Sequence, residues 1–232
     1  MRPIVLINSQ PFADIATIVV NEITYYPLRN ALVEAHIDPD RPQEQIQALI
    51  VTSKHAVKAL SQEMQKYPKM RAFLEIPTFA IGSGSAHALQ KEGFGVEFVC
   101  HDSHGESFGN ELVHRLKNRP TLYLRAKKIV SGLDERLTEA KIPFRQIIAY
   151  KNTTKTLAKS DQPAPRAIII FTSPSNYFSF VQNFGWEGSY IAIAIGMTTF
   201  GAFGREVMGY VSPVQTIEGC VEFAKEIARI YP

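Results

Sequence analysis

Cysteine is scarce in this chain: Cys100 and Cys220 are the only two among 232 residues. Two thiols cannot make a disulfide framework, so reduced thiols are the simpler expectation. Long apolar runs are missing too. The longest, at residues 167–171 and 190–195, have the length of strands and fall far short of a membrane span. Neither sign of charge dominates. Against 22 acidic side chains stand 25 basic ones, for a net +3. That excess is too small for a nucleic-acid binder, but it suits a local basic pocket for an acidic small molecule. The N-terminus passes from Met1 straight into a strand-like run, with no room for a signal peptide's apolar helix, so a cytoplasmic location is expected. With 45% hydrophobic and 20% charged residues, the composition is that of an ordinary globular protein, long enough for two small domains or one large one.

Familiar catalytic fingerprints are also absent. The run GSGSAH from Gly82 to His87 lacks the third spaced glycine of a dinucleotide-binding loop. There is no GxxxxGK phosphate loop and no GxSxG nucleophile elbow. Cys100, His101, Asp102 and His104 form a compact group of potential metal ligands. It lies in a loop-like stretch without a second well-spaced Cys/His pair, so neither a metal nor a cofactor is expected. A Cys–His nucleophilic pair is weaker still, because adjacent residues rarely aim at one another.

What the chain does contain is one pattern written twice. ALIVTSKHAVKAL, from Ala48, is a β-branched run ending in Thr52-Ser53 and followed by a helix pattern. TFAIGSGSAHALQKEGF repeats the order strand, Gly/Ser turn, helix, with Gly93 closing the helix. Gly105-Glu106-Ser107 then leads into a third helix. In the second version AIIIFTSPSNYFSF ends its run at Thr172-Ser173, YIAIAIGMTTFGAFGREVMG carries Gly196 with Gly209 closing its helix, and Thr216 to Gly219 opens the last helix. Three units in one order point to a domain duplication. The strands are continuous apolar runs, which favours parallel sheets covered by helices on both faces, an α/β fold.

Further strands are expected at Pro3 to Asn8, Glu22 to Tyr26, Thr121 to Leu124 and Phe144 to Tyr150, with a helix from Ser131 to Lys141. The first strand pair lacks enough helical material to form a domain by itself. It is expected to join the C-terminal half, giving a discontinuous domain of residues 1–34 and 155–232. Residues 38–150 then form an inserted domain, with connectors at 35–37 and 151–154. A simple side-by-side split is the alternative.

In open α/β sheets ligands bind beyond the C-terminal strand ends. There the chain places Thr52, Ser53, Ser83, Ser85, Arg125, Lys127, Tyr150, Thr172, Ser173, Ser175, Asn176, Thr198 and Thr199. Helix starts expose unpaired N–H groups and a positive dipole end, good seats for carboxylates or phosphates. Each residue also has a plainer reading. Ser or Thr ahead of a helix serves as a cap, and Ser173-Pro174 fits a cap with proline in the first turn. Arg125, Lys127 and Lys128 follow a strand end and can clasp carboxylates, or form a solvated basic face. Lys54 and His55 can add charge at another strand end. Tyr150, taken to end its strand, can donate a hydrogen bond, or pack as an amphipathic lid.

These blocks, in this order, resemble the uroporphyrinogen-III synthase family. ALIVTSKHAVKAL resembles its strand, Thr-Ser turn and helix opening on Ala-Val. FAIGSGSAHALQKEGF resembles its block of apolar residues, glycine, small residues and leucine, with Ser85 at a usual threonine place. TLYLRAKKIVSGLDERLTEAKIPFRQIIAYKNT resembles its strand, basic turn and helix, then a strand in which Tyr150 takes the tyrosine place. AIIIFTSPSNYFSF, AIAIGMTTFGAFGREVMG and PVQTIEGCVEFAKEI resemble the C-terminal blocks. The likeness covers about residues 48–232 and is weaker before them. Ser9 to Asn21 must hold what is usually a longer helix, and Arg125-Ala126-Lys127 stands where a glycine is frequent.

The resemblance implies two similar flavodoxin-like domains with parallel sheets, joined by two crossing segments, with an active-site cleft between them. It implies a cofactor-free, metal-free lyase that acts on hydroxymethylbilane, a linear tetrapyrrole with eight carboxylates. The enzyme removes the terminal hydroxyl as water, inverts the last pyrrole ring and closes the macrocycle to uroporphyrinogen III. On this reading Tyr150 assists loss of the hydroxyl, while Ser53, Ser83, Ser85, Arg125, Lys127, Ser173, Ser175, Thr198 and Thr199 bind carboxylates. A monomer is implied, with a transient contact to the preceding pathway enzyme and no nucleic-acid or membrane partner. A non-catalytic binding or sensor protein for an acidic small molecule is the alternative.

Overall fold

The structure is a computed structural model that describes residues 2–100, 106–129 and 132–231, with the backbone alone for residues 106–110. In chain order it holds β1 (Ile4–Ile7), β2 (Ala16–Ile18), β3 (Asn21–Tyr25), α1 (Leu28–Glu34), β4 (Ala48–Val51), α2 (Lys54–Lys66), β5 (Thr78–Ile81), α3 (Ser83–Lys91), β6 (Val96–Cys100) and α4 (Glu106–Leu116). There follow β7 (Thr121–Ala126), α5 (Leu133–Glu139), β8 (Phe144–Thr154), β9 (Ile168–Phe171), α6 (Pro174–Phe184), β10 (Ile191–Ala194), α7 (Met197–Phe200), β11 (Gly209–Val211) and α8 (Ile217–Ile230). Among the described residues no helix is long and apolar enough to cross a membrane.

The chain divides into two compact units. One is discontinuous, Met1–Glu22 with Thr153–Pro232; the other is continuous, Ile23–Asn152. The discontinuous unit has a parallel sheet in the order β11-β10-β9-β1-β2. Numbered by its own chain order and read from β2, this is 2-1-3-4-5, the flavodoxin order. The other sheet runs β3-β8-β7-β4-β5-β6, with parallel pairings from β8 through β6. Its five parallel strands have the same spatial order once the chain is taken to start at β7. The two units are therefore flavodoxin-like copies related by a circular permutation. β4 and β9 hold the same place in them, as do β5 and β10.

Every residue of β4 and of β9 is buried. Successive side chains on a strand point to opposite faces. Accordingly Leu49 and Val51 enter one core with α2, while Ala48 and Ile50 enter another with Leu112, Leu116, Leu133 and Leu137. In β9, Ile169 and Phe171 face α6, and Ile168 and Ile170 face α8. Burying one such side chain contributes about 1.5–3 kcal/mol. Unbroken apolar strands are what a sheet with helices on both faces selects.

The helix ends follow local rules. α3 stops where Gly93 turns left-handed (φ 87°); Gly93 N–H donates to Gln90 O and Phe94 N–H to Leu89 O, a Schellman motif. Ser173 caps α6 with Pro174 in its first turn, and Thr216 caps α8.

Four expectations need correction. Residues 23–34 do not join the C-terminal half. Beyond its first two residues β3 belongs to the continuous unit, and Leu28 and Leu32 of α1 are buried in the α2 core, so the crossing lies at 22–23 and not at 35–37. Ser9 to Asn21 holds no helix: its β-branched end forms β2, parallel to β1. The second crossing falls at 152–153, inside the expected connector 151–154, but these residues continue β8 as strand, and Lys155 N–H beyond them donates to Val20 O. Gly209 does not close a helix. α7 lasts four residues and Gly209 opens β11 against Phe203, whose ring stands 2.8 Å from where a Cβ would sit.

Candidate active site

In a flavodoxin-order sheet the crevice lies where the strand order reverses. In the continuous unit that is between β7 and β4, and in the discontinuous unit between β1 and β9. Thr52-Ser53 follows β4 and Thr172-Ser173 follows β9, so the repeated hydroxyl pairs stand at the two switch points.

Around Ser53 the polar groups are chained together. Ser53 is extended (φ −158°), and its Oγ accepts the His55 N–H at 3.1 Å. Its hydroxyl proton is left to act on the phenol of Tyr150, where it favours the ionised form. Tyr150 is buried, and burial raises its pKa above the ordinary phenol value; the Ser53 bond acts the other way and Tyr123 adds to the rise. The phenol therefore keeps its proton at neutral pH. Tyr150 does not end its strand: β8 runs on to Thr154. A register shift at Arg125/Ala126 pairs Ala126 with Tyr150 and brings Tyr150 level with the end of β7. The Lys127 N–H donates to Tyr150 O at 2.8 Å.

Sequence reasoning took His55 as added charge. The structure corrects this. Burial first, then Lys54 and Lys58, hold its pKa down at about 4, so it is neutral near pH 7. Its Nδ1 lies 3.1 Å from the hydroxyl of Tyr25, and its ring lies 5.3 Å from that of Tyr150. Tyr25 went unnoticed in the sequence. Its one signal was a phenol at the end of β3, with no spacing to tie it to His55.

Of the α3 residues, Ser85 is buried and Ser83 exposed, behind a left-handed Gly82 (φ 82°) that gives no side-chain cap. Arg125 and Lys127 are not brought to Ser53. They line a cavity of about 640 Å³ with Tyr26, Pro27, Glu34 and Gln146, in which Ser53, Ser83, Ser85 and Tyr150 take no part. The Arg125 guanidinium already donates to Gln146 Oε1 (2.7 Å), Ala126 O and Lys127 O.

On the other sheet, Ser173 Oγ accepts the Asn176 N–H at 3.3 Å and lies 3.0 Å from Ser175 Oγ. Asn176, which is buried, donates to Ile7 O and Thr172 Oγ1 and accepts from Asn21 Nδ2 at 2.7 Å. Ser179 donates to Asn21 Oδ1, and Thr154 Oγ1 lies 2.8 Å from Ser179 Oγ. This network fixes the turn after β9; Asn21, its hub, sits in a strand and carried no sequence signal. Thr199 is buried and Thr198 exposed in the short α7.

Among the described residues no three His, Cys, Asp or Glu side chains gather as a metal site would. His101, Asp102 and His104 lie outside the described residues, and Cys100 is buried at the end of β6.

Fold and site define a class: a duplicated flavodoxin-like α/β protein whose switch points carry hydroxyl-capped helix starts. Residues 18–222 match the family model for uroporphyrinogen-III synthase HemD. The crystal structure of uroporphyrinogen-III synthetase from Helicobacter pylori is 34% identical with a TM-score of 0.75, covering 98% of this chain and 100% of that one. A mutant uroporphyrinogen III synthase from Thermus thermophilus is 12% identical with a TM-score of 0.65, covering 97% and 99%, a likeness of fold alone. A search of curated proteins finds no match. The chain belongs to the uroporphyrinogen-III synthase family.

Proposed function

We propose that this chain converts hydroxymethylbilane to uroporphyrinogen III. The observation that carries the reading at residue level is Tyr150: a buried phenol whose ring stands 5.3 Å from that of His55 in the first turn of α2, at a switch point. The hydroxymethyl-pyrrole expels its hydroxyl with help from the ring nitrogen's electron pair, and Tyr150 donates a hydrogen bond or proton to the departing oxygen, which leaves as water. The resulting cation is attacked by the substituted carbon of the last ring, giving a spiro intermediate. Cleavage and reclosure invert that ring, and loss of a proton restores the pyrrole.

The substrate carboxylates are assigned to helix starts. Ser53 at α2, Ser83 and Ser85 at α3, and Ser173 and Ser175 at α6 supply hydroxyls beside N–H groups and the positive dipole end. Thr198 and Thr199 serve after Gly196, and Arg125 and Lys127 at the end of β7. Holding the chain in the geometry that leads to inversion is a task for positioning and charge stabilisation. The reaction as proposed routes no step through a metal or cofactor.

The test is a product-isomer assay. Hydroxymethylbilane is generated in situ, chelator-treated protein is added, and the products are oxidised and separated. Isomer III above a no-protein control is the expected result, and Tyr150→Phe should slow it about 10²-fold, the low end for loss of a general acid. Isomer I alone at the spontaneous rate rejects the reading, and an unchanged rate in Tyr150→Phe rejects the role of that residue.

A further inference from the structure

The Tyr25–His55 pair lies beside the site and has no part in the reaction as described. The Tyr25 hydroxyl lies 3.1 Å from His55 Nδ1, and the His55 ring stands between two phenols, 6.3 Å from that of Tyr25 and 5.3 Å from that of Tyr150. Three separate elements supply the groups: Tyr25 ends β3, His55 lies in the first turn of α2, and Tyr150 lies within β8. The backbone N–H of His55 also donates to the Ser53 hydroxyl at the start of the same helix.

Building on the synthase reading, we propose that His55, held by Tyr25, is a positioning residue for ring closure: its imidazole sets the ring of Tyr150 so that the phenol meets the departing hydroxyl. The groups that face His55 fix its state. Tyr25 comes from β3, Tyr150 from β8, and Ser53 precedes α2, whose Lys54 and Lys58 carry the nearby positive charge. Lys58 Nζ also stands 5.5 Å from the centre of the Tyr25 ring. A positive charge on His55 would be the third there, partly buried beside two lysines and next to the phenol that serves a developing cation. Burial and both lysines oppose that charge. Burial and the nearby Tyr150 raise the pKa of Tyr25, so it keeps its proton. The phenol is the better donor of the pair and the unprotonated imidazole nitrogen the better acceptor. The bond therefore runs from the Tyr25 O–H to Nδ1, and the imidazole proton is on Nε2. A neutral ring locked in one tautomer and orientation is a firm wall for Tyr150. A free side chain would leave that ring to wander, and a misplacement of about 1 Å can cost on the order of 10²-fold in rate.

A double-mutant cycle tests this, because a residue that acts through Tyr150 loses its effect when the phenol is gone. Wild type, His55→Ala, Tyr150→Phe and the double variant are assayed for kcat and KM of isomer III formation, with far-UV circular dichroism as the folding control. His55→Ala keeps the backbone N–H to Ser53 and removes only the ring. It is expected to lower kcat roughly tenfold with KM within about twofold, a loss smaller than that of the acid itself. The double variant should match Tyr150→Phe within about twofold. Tyr25→Phe should give a smaller loss that vanishes in the His55→Ala background. His55→Asn retains an acceptor for Tyr25 and should recover part of the rate should His55→Ala fold poorly. Losses that multiply in the double variant, or a loss carried in KM, overturn the proposal and make His55 a fold or substrate contact. A second measurement needs no turnover: nitrogen NMR of labelled histidine should find His55 neutral and protonated on Nε2 from pH 6 to 8, and the other tautomer or a charged ring overturns the proposal. Isomer III from wild type with multiplying losses defeats this inference alone, whereas no isomer III from wild type defeats the synthase reading and this inference with it.

Discussion

Helix α1 begins without a cap of its own. The residue before it is Pro27, which has no side-chain oxygen, yet the first N–H groups of the helix are satisfied. Glu63, buried on α2, accepts the N–H of Leu28 at 3.1 Å and that of Arg29 at 2.9 Å with one carboxylate oxygen. A negative charge at a helix start also meets the positive end of the dipole. Glu63→Ala removes the acceptor and leaves the buried Leu28 N–H and the half-buried Arg29 N–H without their partner. Each unsatisfied donor costs about 1–3 kcal/mol, and water reaching Arg29 places that site at the low end. The total comes to about 3 kcal/mol. Glu63→Gln keeps an oxygen that can accept both bonds and loses only the charge, a cost of about 1 kcal/mol. Urea unfolding followed by far-UV circular dichroism at neutral pH gives the two values, with the midpoint of Glu63→Ala well below that of Glu63→Gln. Equal losses in the two variants would mean that charge, not acceptance, matters. No loss in Glu63→Ala would refute the capping argument outright.

Two further perturbations test the packing around the site. His55 has a folded pKa near 4, below the ordinary 6.5, so between those values the unfolded chain takes up a proton that the folded chain refuses. Stability from this group therefore falls as pH drops through that window and is indifferent above it. The stability of wild type minus that of His55→Asn should be lower at pH 5 than at pH 7.5, and a pH-independent difference defeats the argument. Asn176→Ala strands the Asn21 amide and the Ile7 carbonyl; it should cost about 3 kcal/mol in urea unfolding, and a loss under about 1 kcal/mol would mean that water replaces the network.

The sequence was most readable where one local rule decided the outcome. Continuous apolar runs located β4, β5, β9 and β10, and a hydroxyl before a helix pattern located the starts of α2 and α6. It was least readable where pairing partners decide. Nothing local in the run from Asn21 to Tyr25 says that it joins β8, because a strand's partner is a property of the sheet. Thr153 and Thr154 extend β8 although they fall in the expected connector, since side chains near a strand's end need not be apolar. At the site, single hydroxyls were legible as caps. The Tyr25–His55 bond was not, because its partners come from separate elements and a charge count assigns histidine the wrong role.

The permutation explains why the repeat in the sequence looked incomplete. β4 with α2 and β9 with α6 follow the same order in both units, so Thr52-Ser53 and Thr172-Ser173 align in any reading along the chain. The other two strands of the order, β7 and β8 in one unit and β1 and β2 in the other, trail their copy in the first case and lead it in the second. By position, β2 is therefore the counterpart of β8. β2 is three residues, Ala16 to Ile18, and holds no phenol, while β8 carries Tyr150; counting from the cap, Ser175 stands where His55 stands. Duplication thus supplied two helix-start rims of one design, and of the two counterpart strands only β8 carries a phenol, Tyr150. Substitutions on the rim of the discontinuous unit, at Ser173 and Ser175, should accordingly weaken substrate affinity, while those around Tyr150 should slow turnover.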